Sequence, residues 1–314
     1  MKVRFVFNPN SGRNRRRPEL ARDIRDFIAK RSLDADFATT DGPGHATELA
    51  REAVLLGCDL VVAVGGDGTV NEVAQALLRT PTALALVPCG SGNGLARHLH
   101  FPRSALASLE LIAGSGGKFT SLDTGTANGL PFVNAMGLGL DAEVSRRFNG
   151  LTARGLPAYA RTALAAMRDL RRETIAIACG RQREFVEVLL LVVANSDQYG
   201  NNARIAPGAC ADDGLLDLVA VAPVGLAGAA QLAARLFLGN IDRSAKVRRW
   251  RGTRFSIERS APGVIHTDGE THATAATIDV AIQPRSLRVL VPRVGRAVAE
   301  RVDATAGSFL LQLP

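Results

Sequence analysis

Residues 61–73 read VVAVGGDGTVNEV, and this stretch decides the fold. An apolar run stops at Gly65 and Gly66, gives way to the carboxylate of Asp67, a third glycine at Gly68 and the hydroxyl of Thr69, and a helical pattern follows. By periodicity, residues 60–64 form a fully buried strand and residues 70–78 a helix. The glycines therefore sit at the carboxyl end of a strand and the start of a helix, where open α/β sheets bind ligands. Glycine lets the backbone approach a phosphate with no Cβ in the way, and a helix start offers unpaired N–H groups and the positive end of a dipole. Asp67 argues against a pure phosphate cradle. A carboxylate beside phosphate oxygens is repulsive unless a divalent metal or a transferable proton lies between them.

The same alternation recurs outward from this loop. Residues 2–8 read as a strand, 18–31 as a helix with Leu20, Ile24, Phe27 and Ile28 on one face, 34–39 as a strand, 47–56 as a helix and 83–87 as a strand. Strands alternating with helices imply a parallel sheet. Two more strand ends carry polar, glycine-bearing loops, NPNSG at residues 8–12 and PCGSGNG at 88–94. Either alone is an ordinary turn, but three such loops at the strand ends of one sheet can converge on one ligand. The loop at 88–94 is not a dinucleotide fingerprint, since Leu95 stands where a third glycine belongs, and no glycine-lysine-serine or glycine-lysine-threonine triplet of a P-loop occurs.

After Gly114-Ser115-Gly116-Gly117, read as a flexible break, the rhythm changes to β-like runs at 185–194, 215–221, 247–258, 276–282 and 287–291. The last two are expected to form a hairpin across Pro284-Arg285-Ser286, and helical stretches at 157–172 and 225–238 interrupt this half. The expectation is an α/β domain followed by a β-rich domain, and 314 residues suit two domains of ~150.

Composition narrows the partners. A net charge of +8 favours anions such as nucleotide, nucleic acid or an acidic membrane face. Aromatic content of 5% and the lack of any nucleic-acid-binding motif make nucleic acid the weakest of these. Four scattered cysteines with no CxxC pair indicate neither a zinc knuckle nor a disulfide framework. The longest clean apolar run, residues 188–194, is far short of the ~20 that span a bilayer, and Arg4 interrupts the start, so a cytoplasmic protein is expected. The five histidines show no ligand spacing beyond His98-x-His100 and read as structural.

Taken together, NPNSG, TTDGPGHA at 39–46, GGDGTVNEV at 65–73, PCGSGNGLA at 88–96, LDTG at 122–125, GLGLDA at 137–142, DDGLLD at 212–217 and TDGE at 267–270 resemble the diacylglycerol kinase catalytic family of bacterial lipid kinases and sphingosine kinases, distant relatives of NAD kinases. GGDGT followed about two hundred residues later by DGE is the specific pair. The resemblance implies a Rossmann-like α/β nucleotide domain of NAD kinase/diacylglycerol kinase type over residues 1–124, a β-sandwich-like lipid or substrate domain over 125–293, and residues 294–314 returning to the first domain. It places ATP against Asn8, Thr40, Gly65, Gly66, Asp67, Gly68, Thr69, Asn71 and Ser91, and gives Asp268 a nucleotide or metal contact. Ser91 keeps the hydroxyl of the family's usual threonine. Gly94 replaces an aspartate of many diacylglycerol kinases and an alanine of sphingosine kinases, so the lipid class stays open.

Phosphoryl transfer needs charge neutralisation, usually by Mg²⁺, and a group to receive the acceptor's hydroxyl proton. The bacterial lipid kinase pattern assigns that role to Glu270 and the sphingosine kinase pattern to Asp67; Glu270 is the narrow preference. Asp213 resembles the family's structural Mg²⁺ ligand, with the Leu215 carbonyl and Asp123 beside it, although Asp-Asp-Gly is also good turn chemistry. Residues 156–172 carry an apolar band of Leu156, Tyr159, Ala160, Ala163, Leu164, Met167 and Leu170 with arginines at 154, 161, 168, 171 and 172. Such a helix either rests on an anionic bilayer or covers a sheet. The expected enzyme is an ATP- and Mg²⁺-dependent lipid kinase, peripheral on the inner membrane face, with a homodimer among the partner expectations. The alternatives are an NAD kinase-like small-molecule kinase and a non-catalytic lipid-binding regulator.

Overall fold

In the computed structural model, which describes residues 1–149, 156–169 and 172–293, the first half runs β1 (Val3–Phe7), α1 (Gly12–Arg16), α2 (Leu20–Lys30), β2 (Ala35–Thr39), α3 (His45–Leu55), β3 (Leu60–Gly65), α4 (Asp67–Leu77), β4 (Ala83–Pro88), α5 (Gly94–His98) and α6 (Ala105–Ala113). Every residue of β1, β3 and β4 is buried, because helices cover both faces of the sheet. α3 and α4 pack on one face around Val61, Ala63 and Leu84, and α2 and α6 on the other around Phe5, Val62 and Ala85. The strands pair in parallel in the order β2-β1-β3-β4. The order reverses between β1 and β3, which opens a crevice at their carboxyl ends. Arg4 is tolerated in a buried strand because Asp36 and Glu52 neutralise it at 2.7 and 2.6 Å.

The second half runs β5 (Gly117–Ala127), β6 (Leu130–Phe132), β7 (Ala135–Gly139), α7 (Leu140–Asn149), α8 (Leu156–Asp169), β8 (Glu173–Cys179), β9 (Gln182–Val188), β10 (Leu190–Ala194), β11 (Leu216–Val221), α9 (Leu226–Leu238), β12 (Val247–Gly252), β13 (Arg254–Glu258), β14 (Gly263–Thr267), β15 (Glu270–Thr274) and β16 (Thr277–Pro292). The sheet β12-β11-β10-β7-β14-β15 faces β16, β13, β8 and β9 across a core of residues such as Phe132, Met136, Leu191, Leu218, Ile257 and Ile278. This is a sandwich of two packed sheets. α9 lies on the outer face of the first of them, under which Leu232 joins Val192, Val219 and Val221.

Three sequence expectations are corrected. The hairpin across Pro284-Arg285-Ser286 is one strand, β16, because both of its halves pair antiparallel with the same partner, β5. The register shift between Gln283 and Leu287 absorbs the extra residues, with Arg285 at φ 48°. The runs at 185–194 and 247–258 each divide into two strands that enter different sheets, β9 and β10, then β12 and β13. The glycine break at 114–117 instead leads directly into β5, whose first half lines β16 beside β4.

β16 ties the halves together. Its first half pairs with β13 in the sandwich, and Val289 reaches Leu84 of β4 in parallel, so the return to the α/β sheet is made within this strand. Asp123 of β5 clamps the crossover: its carboxylate accepts the backbone N–H of Gly214 and of Arg285, both at 2.7 Å, and is buried. Residues 294–314 lie outside the described residues.

Candidate active site

The three glycine loops interlock at the carboxyl ends of β1, β3 and β4. Asn8, just beyond β1, donates from Nδ2 to Thr69 Oγ1 at 2.9 Å, and its Oδ1 accepts the N–H of Asn10 at 2.9 Å. Ser11 Oγ accepts the N–H of Gly66 at 3.1 Å. Thr40 is buried and hangs from Phe7 by a backbone bond of 2.9 Å. Glycine is required at two of these contacts. A methyl on Gly65 would overlap the Thr69 side chain, and one on Gly90 would lie 2.5 Å from Gly66 Cα and 2.8 Å from Asn93 Oδ1.

Asp67 occupies the first turn of α4, three residues before the helix start expected from periodicity, with Gly66 as the cap. Its Oδ2 accepts the N–H of Asn93 at 2.8 Å and its Oδ1 that of Gly94 at 2.7 Å, so the carboxylate bridges the starts of α4 and α5. Two helix dipoles favour a negative charge there. Burial nevertheless pushes its pKa above the ordinary carboxylate value, against these N–H donors. Gly68 remains open, with no atom near where a side chain would project, and Ser91 is exposed. Asn71 is buried one turn further along α4, and its Oδ1 has no partner among the described residues. A free acceptor beside a helix start and an open glycine fits a cradle completed by a ligand.

The TDGE motif is the turn of the β14–β15 hairpin. Thr267 pairs with Glu270, and Asp268 and Gly269 both have positive φ, 50° and 89°. This is the Asp-Gly preference of a type I′ turn, a hairpin signal that the sequence reading passed over in favour of the motif. The Asp268 carboxylate accepts the N–H groups of Val133 at 2.6 Å, Asn134 at 2.8 Å and Ala135 at 2.9 Å, and burial raises its pKa against them. It fastens the hairpin to the β6–β7 junction. Glu270 is exposed, and its side chain has no hydrogen bond or ion pair among the described residues.

A chain of contacts joins the GGDGT loop to this hairpin. Beside Gly94 the Tyr199 carbonyl comes so near that a methyl there would lie 2.9 Å from it. The Tyr199 hydroxyl donates to Asp141 Oδ2 at 2.7 Å, and the same oxygen meets His266 Nε2 at 2.8 Å. Gly269 N–H donates to His266 Nδ1 at 3.2 Å, which puts the ring proton on Nε2, toward Asp141. Asp141 and His266 are both buried, and a side chain on Gly137 would strike both. Asp141 stands in the GLGLDA motif, but neither it nor Tyr199 and His266 was singled out in sequence. Only the fold brings residues so far apart in the chain together.

Asp213 does not fit a resident metal. Its carboxylate is ion-paired with Arg251 of β12 and accepts the N–H of Leu215 at 3.0 Å, while Arg249 and Arg251 neutralise the adjacent Asp217. Among the described residues no three His, Cys, Asp or Glu side chains are grouped to hold an ion.

A separate cleft of about 440 Å³ lies between α5 and the segment 197–209, lined by Arg97, His98, Arg103, Asp197 and Arg204 among others. His98 Nδ1 meets Asp197 Oδ1 at 2.8 Å across the two halves. Burial raises the Asp197 pKa, but His98 and Arg204 outweigh it and hold the carboxyl below its ordinary value. On α8, Ala163, Ala166 and Met167 pack with Val144 of α7 and with Leu189 and Leu190, while Leu164 of the same band is exposed. The side chains of Leu156, Tyr159, Ala160 and Arg168, with Arg154, Leu170 and Arg171, lie outside the described residues. No helix among the described residues is long and apolar enough to cross a membrane.

Comparison with known proteins agrees with this architecture. Residues 2–142 match the model of the diacylglycerol kinase catalytic domain, and residues 134–291 that of the YegS C-terminal NAD kinase beta sandwich-like domain. A diacylglycerol kinase of Bacillus subtilis (strain 168) is 29% identical over 276 residues, covering 86% of this chain and 89% of the relative. A probable lipid kinase YegS-like of Pseudomonas fluorescens is 30% identical over 266 residues, covering 82% and 86%. The crystal structure of a putative diacylglycerol kinase from Bacillus anthracis superposes with a TM-score of 0.76 at 24% identity, over 95% of this chain and 98% of that one. With the two models together matching residues 2–291, this chain belongs to the diacylglycerol kinase catalytic domain family, lipid kinases that transfer a phosphoryl group to an alcohol acceptor.

Proposed function

We propose that the chain transfers the terminal phosphoryl group of ATP, carried with Mg²⁺, to the hydroxyl of a membrane lipid, with diacylglycerol as the leading acceptor and a sphingoid base as the other. The observation that carries this reading is the contrast among three acids. Asp67 and Asp268 each have both carboxylate oxygens occupied by backbone N–H groups, whereas Glu270, at the end of the hairpin that His266 and Asp141 tie back to the glycine loops, is exposed and has no partner among the described residues. A base must reach the acceptor hydroxyl, and Glu270 is exposed while Asp67 is held between two helix starts, so Glu270 takes the base role and Asp67 holds those helix starts in place.

ATP with its magnesium would supply the transferable phosphoryl and neutralise its charge. Asn8, Thr40, the Gly65–Gly66–Asp67–Gly68 backbone, Thr69, Asn71 and Ser91 form the cradle. The lipid oxygen bonds to the γ-phosphorus, the bond to the β-γ bridging oxygen breaks, ADP leaves, and the hydroxyl proton passes to Glu270. Asp213 takes no part. Supporting the reading are the family, the relatives named as diacylglycerol kinases, and the open cradle at the crevice between β1 and β3.

A panel of acceptors incubated with γ-labelled ATP tests it: diacylglycerol, a sphingoid base, phosphatidylglycerol and NAD. Label entering diacylglycerol or the sphingoid base supports the proposal. Label entering NAD alone moves the chain to the small-molecule reading, and no transfer to any acceptor supports a non-catalytic regulator.

A further inference from the structure

α9 turns an apolar face to water. Leu226, Ala230, Ala233, Ala234, Phe237 and Leu238 recur at helical spacing and are exposed, Leu226 at 60%, Phe237 at 41% and Leu238 at 74%. Gln231 is the one polar side chain on this face, with half-exposed Arg235 one turn further along at its edge. The opposite face is already used, with Leu232 and Leu236 packed on the second sheet. A leucine- and phenylalanine-bearing helix face is an interaction surface rather than ordinary solvated exterior.

Cations stand at both ends of it. Ahead of the helix, exposed Lys246 accepts the Ala222 N–H at its carbonyl, 2.8 Å away. Past its end, Arg204, which also pairs with Asp197 at 3.6 Å, donates its backbone N–H to Leu236 at 2.9 Å and lays its side chain against Gly239, and exposed Arg243 follows in the next turn beside exposed Asp242. Apolar side chains flanked by Lys and Arg suit the headgroup boundary of an anionic bilayer, where the chains enter and the cations meet lipid phosphates. A second copy of this chain suits it less. A twofold contact through α9 would set Lys246, Arg204 and Arg243 against the same residues, like charge facing like. Arg204 also lines the cleft between the halves, so the apolar face lies beside the groove that separates the domains.

We propose that the exposed face of α9 docks the protein onto an anionic lipid bilayer. The proposal rests on the lipid-kinase reading for its purpose, and assigns to α9 the role that the sequence pattern offered to α8.

The test pairs co-sedimentation with a substrate that needs no membrane. Wild type, Phe237→Glu/Leu238→Glu and Arg243→Glu/Lys246→Glu are mixed with vesicles of phosphatidylcholine, with and without phosphatidylglycerol, and each is assayed on monomeric short-chain diacylglycerol. Wild type is expected to prefer the phosphatidylglycerol vesicles. The apolar double variant loses about tenfold or more in vesicle binding, and the charge variant about fivefold per cation removed, on anionic vesicles only. Both keep the thermal midpoint and the short-chain rate. Leu226→Glu, at the other end of the helix, repeats the reading should Phe237→Glu/Leu238→Glu fold poorly. Vesicle binding by the apolar variants equal to wild type overturns the proposal. So does a wild-type dimer that Phe237→Glu/Leu238→Glu dissociates while no form binds vesicles. Vesicle binding as expected, with no phosphorylation of short-chain diacylglycerol by wild type, supports the docking face and counts against diacylglycerol as acceptor.

Discussion

At the scale of single residues, hydrogen-bond occupancy separates acids that the motifs alone leave equivalent. Asp67, Asp268 and Glu270 all belong to GGDGT or DGE, yet two are locked by backbone donors and one has no partner among the described residues. Glu270→Gln is expected to lower kcat by about 10²- to 10⁴-fold with an unchanged melting temperature, because the side chain is exposed and supports nothing. Asp67→Asn has a different signature. Its amide must face the N–H of Asn93 or of Gly94, which destabilises the fold by about 1–3 kcal/mol and raises the apparent KM for ATP. Gly90→Ala is expected to abolish nucleotide binding in a titration with ATP, since the obstacles to its methyl include the Gly66 backbone, which cannot rotate aside.

At the scale of elements, the β14–β15 hairpin depends on Asp268 more than on its turn. Asp268→Ala strands the N–H groups of Val133, Asn134 and Ala135 and should cost about 3 kcal/mol or more in urea unfolding, whereas Gly269→Ala, at φ 89°, should cost about 1–2 kcal/mol. The elements also show what sequence can and cannot reveal. β1, β3 and β4 were legible because buried parallel strands are unbroken apolar runs, and α2 because its buried Leu20, Ile24 and Phe27 keep helical spacing. β16 was not. A proline-bearing kink looks the same in sequence whether the chain reverses or continues, and only the shared partner β5 decides. Likewise, nothing local distinguishes one strand from two when the break between β12 and β13 is a step from one sheet to the other. The cradle was legible as glycine loops, but the Tyr199–Asp141–His266 link and the Arg251 partner of Asp213 depend on long-range packing.

At the scale of the whole molecule, β5 and β16 run through both halves, and Asp197 locks them again through His98, with Arg204 of its own segment as a second cation partner. The ten-stranded sheet joins β1–β4 of the first half to β16, β13, β8 and β9 of the second, so calorimetry is expected to show one unfolding transition with calorimetric and van't Hoff enthalpies in agreement. The Asp197 lock has a defined pH sign. Its folded pKa lies below the ordinary value of 3.8, so its stabilisation is complete above that pH and is lost as pH falls through the folded pKa. The difference in urea midpoint between wild type and Asp197→Asn should therefore be constant from about pH 5 to 6 and shrink below about pH 4.

The central claim is that loops from β1, β3 and β4 and the hairpin bearing Glu270 serve one phosphoryl transfer. Its most direct measurement is the rate at which label moves from γ-labelled ATP to diacylglycerol in wild type and in Glu270→Gln, with nucleotide affinity measured alongside. Transfer by wild type, lost at least a hundredfold in the variant while ATP still binds, is the predicted result. Equal rates in the two proteins would contradict it.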